Sequence, residues 1–346
     1  MEKLPVDIPT LSDEGIANLM PANMVYPGLS RLFGHLAPNY VKYIATAMDS
    51  YTWFRYVESE SKSFILKNLA TRALYKMLNR QDRSHICAGN ENGIVHGERA
   101  VGLTSRGVNY KAINEDGFGI FDEGEVLKLV VCDGVGDCLV GEVASFVILD
   151  QFNRYPEKSL HQVLLDSCHQ LVQLAKDLAV EIPEFVTFPN EISQAAVTAL
   201  RIEGDQCQVA QVGDVILYTY REGNLTMLDP HGDWLNLRQM TDLFANEKYL
   251  SQRHIINNAV GRNYDSDWQA QDFALRSGDV LVLASDGLET LHPKTVLELL
   301  SSSLPSKQKL NELYQEVIRA NLNWQTPGSP IYTKPDNVTL VVYQHP

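Results

Sequence analysis

The chain has 346 residues, of which 45% are hydrophobic, a composition typical of a globular protein rather than a disordered one. Its formal net charge is −14, which argues against the phosphate backbone of a nucleic acid or an anionic membrane surface as its main partner. We therefore expect no nucleic-acid partner and no membrane association.

Targeting and redox signals are weak along the whole chain. The first residues, MEKLPVDIP, lack a basic region followed by an apolar one. No stretch reaches the roughly 18 to 20 continuous apolar residues that a membrane-spanning helix needs. The five cysteines are irregularly spaced without a CxxC pair, so neither a disulfide framework nor a zinc site is indicated. We expect a soluble, cytoplasmic protein with reduced thiols.

The first part of the chain has helical periodicity. Residues 1–82 are predicted to be mostly helical, and Tyr51–Arg80 carries two apolar faces, which suggests a helix packed between two partners. Those faces pack either on the rest of the same chain or against a partner or second copy. Residues 81–98 are polar and contain glycine and asparagine, as in a connector. We therefore predict a helical accessory region with its connector over 1–98 and a second domain over 99–346.

The second domain combines short strands with a few long helices. The predicted strands are AVGLTS, GFGIF, VLKLVVC, AAVTALRI, CQVAQV, VILYTY, FAL, VLVLAS and NVTLVVY. The predicted helices cover Gly141 to about Asn153, Ser159–Val180, Pro293–Ser303 and Lys307–Asn323. This arrangement favours packed sheets covered by helices, which is an α+β domain.

Several predicted strands end beside a carboxylate. The strands LKLVVC, CQVAQV and VLVLA end next to Asp133, Asp214 and Asp286, each with a neighbouring glycine. A carboxylate at the end of a buried strand reaches the edge of the core, where it stays ionised only beside a cation or a hydrogen-bond donor. A single Asp-Gly after a strand is also a common hairpin turn, so the signal lies in the number and order of these motifs.

Three further carboxylates flank this set. Glu115 and Asp116 precede the strand GFGIF, and Asp336 precedes the final strand. Six carboxylates without histidine or cysteine match the preference of Mg²⁺ and Mn²⁺ for oxygen ligands. The sequence therefore predicts a hydrolase that uses hard divalent cations.

Residues 99 to about 344 resemble the PPM/PP2C family of metal-dependent serine/threonine protein phosphatases, of the bacterial type. The resemblance rests on motifs that follow one another in the family's order: KAINEDGFGIF, VVCDGVGDCLVGEVAS, VAQVGDVILYTYREGNL, RHIINNAVG, GDVLVLASDGLETL and DNVTLVV. It implies a four-layer αββα sandwich, here with an N-terminal helical extension. The metals of such a fold lie in a cleft at one end of the sandwich.

The resemblance also implies a ligand set of Mn²⁺ or Mg²⁺, with two and in many bacterial members three ions. Glu115, Asp133 and the backbone carbonyl of Gly134 would hold one ion. Asp133, Asp286 and Asp336 would hold the other, so that Asp133 bridges the pair. Two cations about 3.5 to 4 Å apart lower the pKa of a bridging water and supply hydroxide for attack on phosphorus.

Three other positions match the family's motifs, and Arg106 lies near one of them in sequence. Asp116 would orient the attacking water, and Asp214 would help to hold a third ion. Lys111 stands where the family has its phosphate-binding arginine, and lysine lacks the bidentate fork of a guanidinium. Arg106 is either a substitute for that arginine or a surface residue.

Three functions stay open at this point. The first is an active phosphatase for phosphoserine and phosphothreonine in phosphorylated proteins. The second is a weak or inactive pseudophosphatase that serves as a binding or regulatory module, for which Lys111 and Val215 are the supporting departures from the family pattern. The third is a phosphatase of a small metabolite, because the fold alone does not select a substrate.

Overall fold

The computed structural model describes residues 85–88, 92–107, 114–135, 141–181, 193–253, 256, 258–262, 268–322, 330 and 332–346. The predicted helices of residues 1–82 and the candidate phosphate-binding residue Lys111 lie outside the described residues. The strands in chain order are β1 (Ile86–Cys87), β2 (Gly93–His96), β3 (Ala100–Ser105), β4 (Gly117–Glu123), β5 (Val126–Gly134), β6 (Ala195–Glu203), β7 (Gln206–Val212), β8 (Ile216–Arg221), β9 (Asn224–Leu228), β10 (Trp234–Asn236), β11 (Gln269–Ala274), β12 (Val280–Ala284) and β13 (Val338–Gln344).

These strands form two antiparallel sheets. In the described part of the chain the first sheet has the order β1-β4-β5-β6-β7-β11 and the second the order β10-β9-β8-β12-β13-β3-β2. Neighbours along the chain, such as β4 with β5 and β8 with β9, are joined by tight turns that contain Gly124 and Gly223. Both glycines have positive φ, +73° and +83°, which a residue with a side chain adopts at a cost.

Helices cover the outer faces of both sheets. The helices of the described part are α1 (Gly141–Arg154), α2 (Leu160–Glu181), α3 (Leu237–Phe244), α4 (Glu247–Gln252), α5 (Pro293–Ser301) and α6 (Ser306–Leu322), with a short 3-10 helix at Asp286–Thr290. α1 and α2 pack on the first sheet, and α5 and α6 on the second. This is the predicted αββα sandwich. None of the helices in the described part is both long and apolar enough to span a membrane.

Strand β5 shows why the predicted strands are apolar on both faces. Leu129 and Val131 point into the cluster between the two sheets, whereas Val130 and Cys132 point into the cluster under α1 and α2. All four side chains are fully buried. A central strand covered on both faces has no side that favours polar residues, so its sequence is continuously apolar instead of alternating.

Residues 81–98, predicted to be a connector, contain two strands of the sandwich. β1 pairs with β4, and β2 pairs with β3. The predicted domain boundary at residue 98 therefore lies within paired structure, and the described part of the sandwich begins before residue 99. Both strands are short and the side chains of β2 are half-buried or exposed, so local composition gives little signal for them.

Candidate metal centre

The ends of β5 and β7 bring Asp133 and Asp214 to the same edge of the first sheet. Asp133 pairs in register with Ala196 of β6, and Gly213, which follows β7, lies against the same alanine. A Cβ atom on Gly213 would approach the Ala196 Cβ to 2.6 Å, and the φ of Gly213 is +86°. The glycine thus permits the close turn that carries Asp214 back toward Asp133.

The second sheet contributes Asp286 and Asp336 at its facing edge. Because β12 and β13 are antiparallel, the end of one strand meets the start of the other. Beyond the last pair, the Ser285 N–H donates to the Thr339 carbonyl at 3.0 Å. Asp286 follows this bond and Asp336 precedes β13, so the two carboxylates come from adjacent strand ends.

Asn337 links the site residues of the second sheet to those of the first. Its Oδ1 accepts a hydrogen bond from the Glu115 N–H at 2.9 Å, and its own N–H donates to Asp336 Oδ1 at 2.8 Å. The Glu115 carbonyl accepts from Ser145 Oγ at 2.7 Å and from the Gly134 N–H at 3.2 Å. Glu115 is therefore held by groups from both sheets and from helix α1.

Asp116 lies beside Asp133, where β4 begins and β5 ends. Gly117 pairs with Cys132, so Asp116 precedes and Asp133 follows this pair on neighbouring strands. Burial raises the pKa of the Cys132 thiol well above its usual value, and the charges of Asp116 and Asp133 act in the same direction. Asp116 is only 1% exposed, whereas Asp133 is partly exposed.

A lysine lies among these carboxylates. Lys334 Nζ forms an ion pair with Asp286 Oδ2, and it lies 3.9 Å from Asp336 Oδ2. Burial lowers the pKa of Lys334, while the charges of Asp336, Asp133 and Asp214 act in the opposite direction. Carboxylates from four strand ends thus act on one ammonium group.

The negative charges of this cluster also affect the pKa of Asp214. Burial raises its pKa to about 7, the negative charges of Asp133 and Asp336 act in the same direction, and Lys334 opposes them. Asp214 Oδ1 is buried and has no hydrogen-bond partner among the described residues. A buried carboxylate with excess negative charge around it favours a positively charged neighbour.

The residue types at this edge fit a hard divalent cation. Carboxylate oxygens are the ligands that Mg²⁺ and Mn²⁺ prefer. In the described ranges, however, no three acidic, histidine or cysteine side chains already stand at the spacing of a metal-binding group.

A cavity of about 330 Å³ opens beside Asp214 and Asp286. Arg253 lies in its wall, where Nη1 is 3.8 Å from Glu289 Oε2, and the Tyr249 hydroxyl donates to Glu289 Oε1 at 2.9 Å. Burial raises the pKa of Glu289 to about 7, although Arg253 and Tyr249 oppose that shift. This cluster has no signal in the sequence, because its members become neighbours only when the second sheet folds.

Of the predicted site residues, the structure brings together Asp133, Asp214, Asp286 and Asp336 around Lys334, with Glu115, Asp116 and Gly134 beside Asp133. Lys111 lies outside the described residues, and its phosphate-binding role stays a prediction. Arg106 is exposed, and its carbonyl accepts from Asn337 Nδ2 at 3.4 Å. Its backbone therefore borders the site.

An Asn337→Ala variant is expected to lose about 1 to 3 kcal/mol of unfolding free energy, because the buried Glu115 N–H loses its acceptor. Urea unfolding of the full chain measures this. Asn224→Ala, at the exposed first residue of β9, is the matched control and should change stability by less than about 0.5 kcal/mol. Equal stability of the two variants would contradict the connecting role of Asn337.

The fold is similar to those of solved bacterial proteins, among them serine/threonine phosphatases. PppA, a key regulatory component of T6SS in Pseudomonas aeruginosa, is 22% identical with a TM-score of 0.51, and the match covers 73% of this chain and 99% of that one. The S. agalactiae serine/threonine phosphatase is 21% identical with a TM-score of 0.54, covering 71% and 99%. The catalytic domain of the phosphatase PstP, in complex with two manganese ions, is 22% identical with a TM-score of 0.50, covering 71% and 97%.

The sequence itself matches no family model and no curated protein. At identities below 25%, the structural similarities show the fold. The described residues have the two antiparallel sheets and flanking helices of the bacterial PP2C-type phosphatases, which confirms the predicted fold class and the resemblance at that level.

Proposed function

We propose that this chain is a metal-dependent phosphatase that hydrolyses phosphoserine and phosphothreonine in proteins. One observation carries the proposal: Asp133, Asp214, Asp286 and Asp336, from four separate strand ends, all act on one position at the edge of the sandwich. The shared fold with solved serine/threonine phosphatases supports it.

The ligands of the proposed centre are the predicted ones. Glu115, Asp133 and the Gly134 carbonyl would hold one ion, Asp133, Asp286 and Asp336 a second, and Asp214 would help to hold a third. The two manganese ions in the structure of PstP support Mn²⁺ or Mg²⁺ as the metal. Bound as a pair, such ions supply a water that is acidic enough to attack near neutral pH and offset the charge of the phosphoryl group.

The chain's own side chains would position the reactants. Asp116, buried beside Asp133, would accept a hydrogen bond from the attacking water and fix its direction. Lys111 would bind a phosphate oxygen as a point charge, which gives less directional binding than an arginine. The cavity beside Asp214 and Asp286 would receive the part of the substrate next to the phosphate.

A cysteine nucleophile is not favoured by the described thiols. Cys132, Cys168 and Cys207 are buried, and burial raises the pKa of each, that of Cys207 to about 12. A thiol must be deprotonated to attack phosphorus, so these groups are poorly suited to a covalent mechanism.

Phosphate release by the purified full chain tests the proposal. With Mn²⁺ present, we expect hydrolysis of a phosphothreonine peptide at a higher rate than of a sugar phosphate, and no hydrolysis in EDTA. The matched control is the same peptide without enzyme at the same Mn²⁺ concentration, which measures spontaneous release.

Each other outcome selects a different function. A large preference for the sugar phosphate would indicate a metabolite phosphatase and overturn the proposed substrate class. No turnover of any substrate with Mn²⁺ would overturn the enzymatic proposal and favour the binding module.

A further inference from the structure

Lys334 is a mostly buried lysine that lies among the proposed metal ligands. Its side chain is 16% exposed, it pairs with Asp286, and its Nζ lies 3.9 Å from Asp336 Oδ2. Both aspartates belong to the proposed ligand set for one of the two ions. The ammonium therefore already provides part of the charge compensation that a divalent cation would provide.

The backbone around Lys334 is fixed in place by several contacts. The Lys334 N–H donates to Thr290 Oγ1 at 2.7 Å, and that hydroxyl donates to Asn321 Oδ1 at 2.6 Å. Thr290 and Asn321 are each 1% exposed. Pro335 follows and restricts the backbone of Lys334 to extended conformations.

The segment just before Lys334 is held by Arg253. Arg253 Nη2 donates to the Tyr332 carbonyl at 2.6 Å, while its Nη1 donates to the Glu289 carbonyl at 3.2 Å. Glu289 and Thr290 end the 3-10 helix that begins at Asp286. The same short helix thus supplies the partner of the Lys334 ammonium and the anchor of its backbone, so the ion pair is built into the fold.

We infer that Lys334 is an internal counter-ion of the carboxylate cluster and that its ammonium competes with a divalent cation for Asp286 and Asp336. The inference rests on the proposed metal centre. A cation that takes these oxygens must separate the ion pair and turn the lysine side chain away, while the backbone stays anchored. Lys334 therefore weakens metal binding on this side of the centre and stabilises the protein when metal is scarce.

Mn²⁺ titration of a Lys334→Met variant tests this competition. By calorimetry on the full chain after removal of metal, we expect Mn²⁺ to bind the variant about tenfold or more tightly than the wild type, within the usual range of coupling between two sites. The variant should also have a lower Tm than the wild type in EDTA, because the carboxylates lose their counter-ion. Equal or weaker Mn²⁺ binding by the variant would overturn the inference.

Two further variants separate charge from burial. Lys334→Arg keeps the positive charge and should keep the wild-type Mn²⁺ affinity to within about threefold. Lys309→Met removes another buried ammonium, one that donates to the Leu300 carbonyl at 2.6 Å under the second sheet. It should lower Tm with and without Mn²⁺ and leave Mn²⁺ affinity unchanged; a gain of affinity equal to that of Lys334→Met would overturn the inference.

A measurement on the wild-type chain does not depend on the variants folding. Acylation of lysines, followed by mass spectrometry, should be faster at Lys334 with Mn²⁺ than in EDTA, because the displaced ammonium faces solvent. Lys309 is the internal control and should not change. Slower or unchanged labelling of Lys334 at saturating Mn²⁺ would contradict displacement.

The Mn²⁺ titrations distinguish failure of the proposed metal centre from failure of the proposed competition. If neither the wild type nor Lys334→Met binds Mn²⁺, the metal centre itself is wrong and the competition falls with it. If both bind Mn²⁺ with the same affinity, the metal centre stands and only the role of Lys334 is overturned.

Discussion

An Asp133→Asn variant is expected to lose roughly a thousandfold of the Mn²⁺-dependent phosphate release, because Asp133 is the proposed bridging ligand of both ions. Loss of a bridging ligand removes several kcal/mol of stabilisation of the transition state, and about 1.4 kcal/mol corresponds to a tenfold change in rate. The rate is measured on a phosphothreonine peptide with excess Mn²⁺.

The same variant should fold as well as the wild type in EDTA. Removing the charge of Asp133 relieves its repulsion with Asp214, which offsets the attraction to Lys334 that is lost at the same time. We therefore expect an unchanged or higher Tm without metal, together with lost activity. A merely structural aspartate would give the opposite pattern, with lower Tm and proportionate loss of activity.

Asp122→Asn is the matched control for this experiment. Asp122 lies on β4 and forms an ion pair with Arg99, away from the carboxylate cluster. Exposed ion pairs contribute at most about 1 kcal/mol to stability, and this one touches no proposed ligand. The variant should keep full activity, and loss of activity comparable to that of Asp133→Asn would contradict the assigned site.

A Phe118→Ala variant should lose about 3 to 5 kcal/mol of unfolding free energy, the usual cost of removing a buried aromatic ring. Phe118 is fully buried in the cluster between the two sheets. Its loss leaves a cavity at the contact that holds the sheets together. Urea unfolding measures the effect, and Ile94→Ala, at a position that is 54% exposed, should change stability by less than about 0.5 kcal/mol.

Gly102 gives a stricter test of the same contact. A Cβ atom on Gly102 of the second sheet would overlap the Phe118 ring of the first. Gly102→Ala should therefore destabilise by about 1 to 3 kcal/mol. In the Phe118→Leu background the same change should cost less, because the smaller side chain leaves room for the methyl group. Equal costs in both backgrounds would contradict the contact between the sheets.

The strands of the sandwich were predictable where burial on both faces determines the sequence. β5 is a continuous apolar run because one set of side chains faces the other sheet and the alternate set faces α1 and α2. Its end could be located from Asp133 and Gly134, the last two residues of the strand. The same reasoning identifies Asp214 and Asp286, since each follows an apolar strand.

Other parts depend on partners far away in the chain. β1 and β2 are strands because β4 and β3 supply their hydrogen-bond partners, and their own residues carry no strong strand pattern. Nothing in the sequence distinguishes Lys334 from an ordinary polar residue before Pro335. Its burial arises only when the 3-10 helix of the second sheet brings Asp286 and Thr290 to it.

A crystal of the full chain soaked in Mn²⁺ tests the central claim most directly. We expect anomalous peaks within coordination distance of Asp133, with Asp286 and Asp336 on one side and Glu115 on the other, and the Lys334 ammonium moved off Asp286. Saturating Mn²⁺ that produces no peak at Asp133, with the ion pair of Lys334 intact, would contradict it.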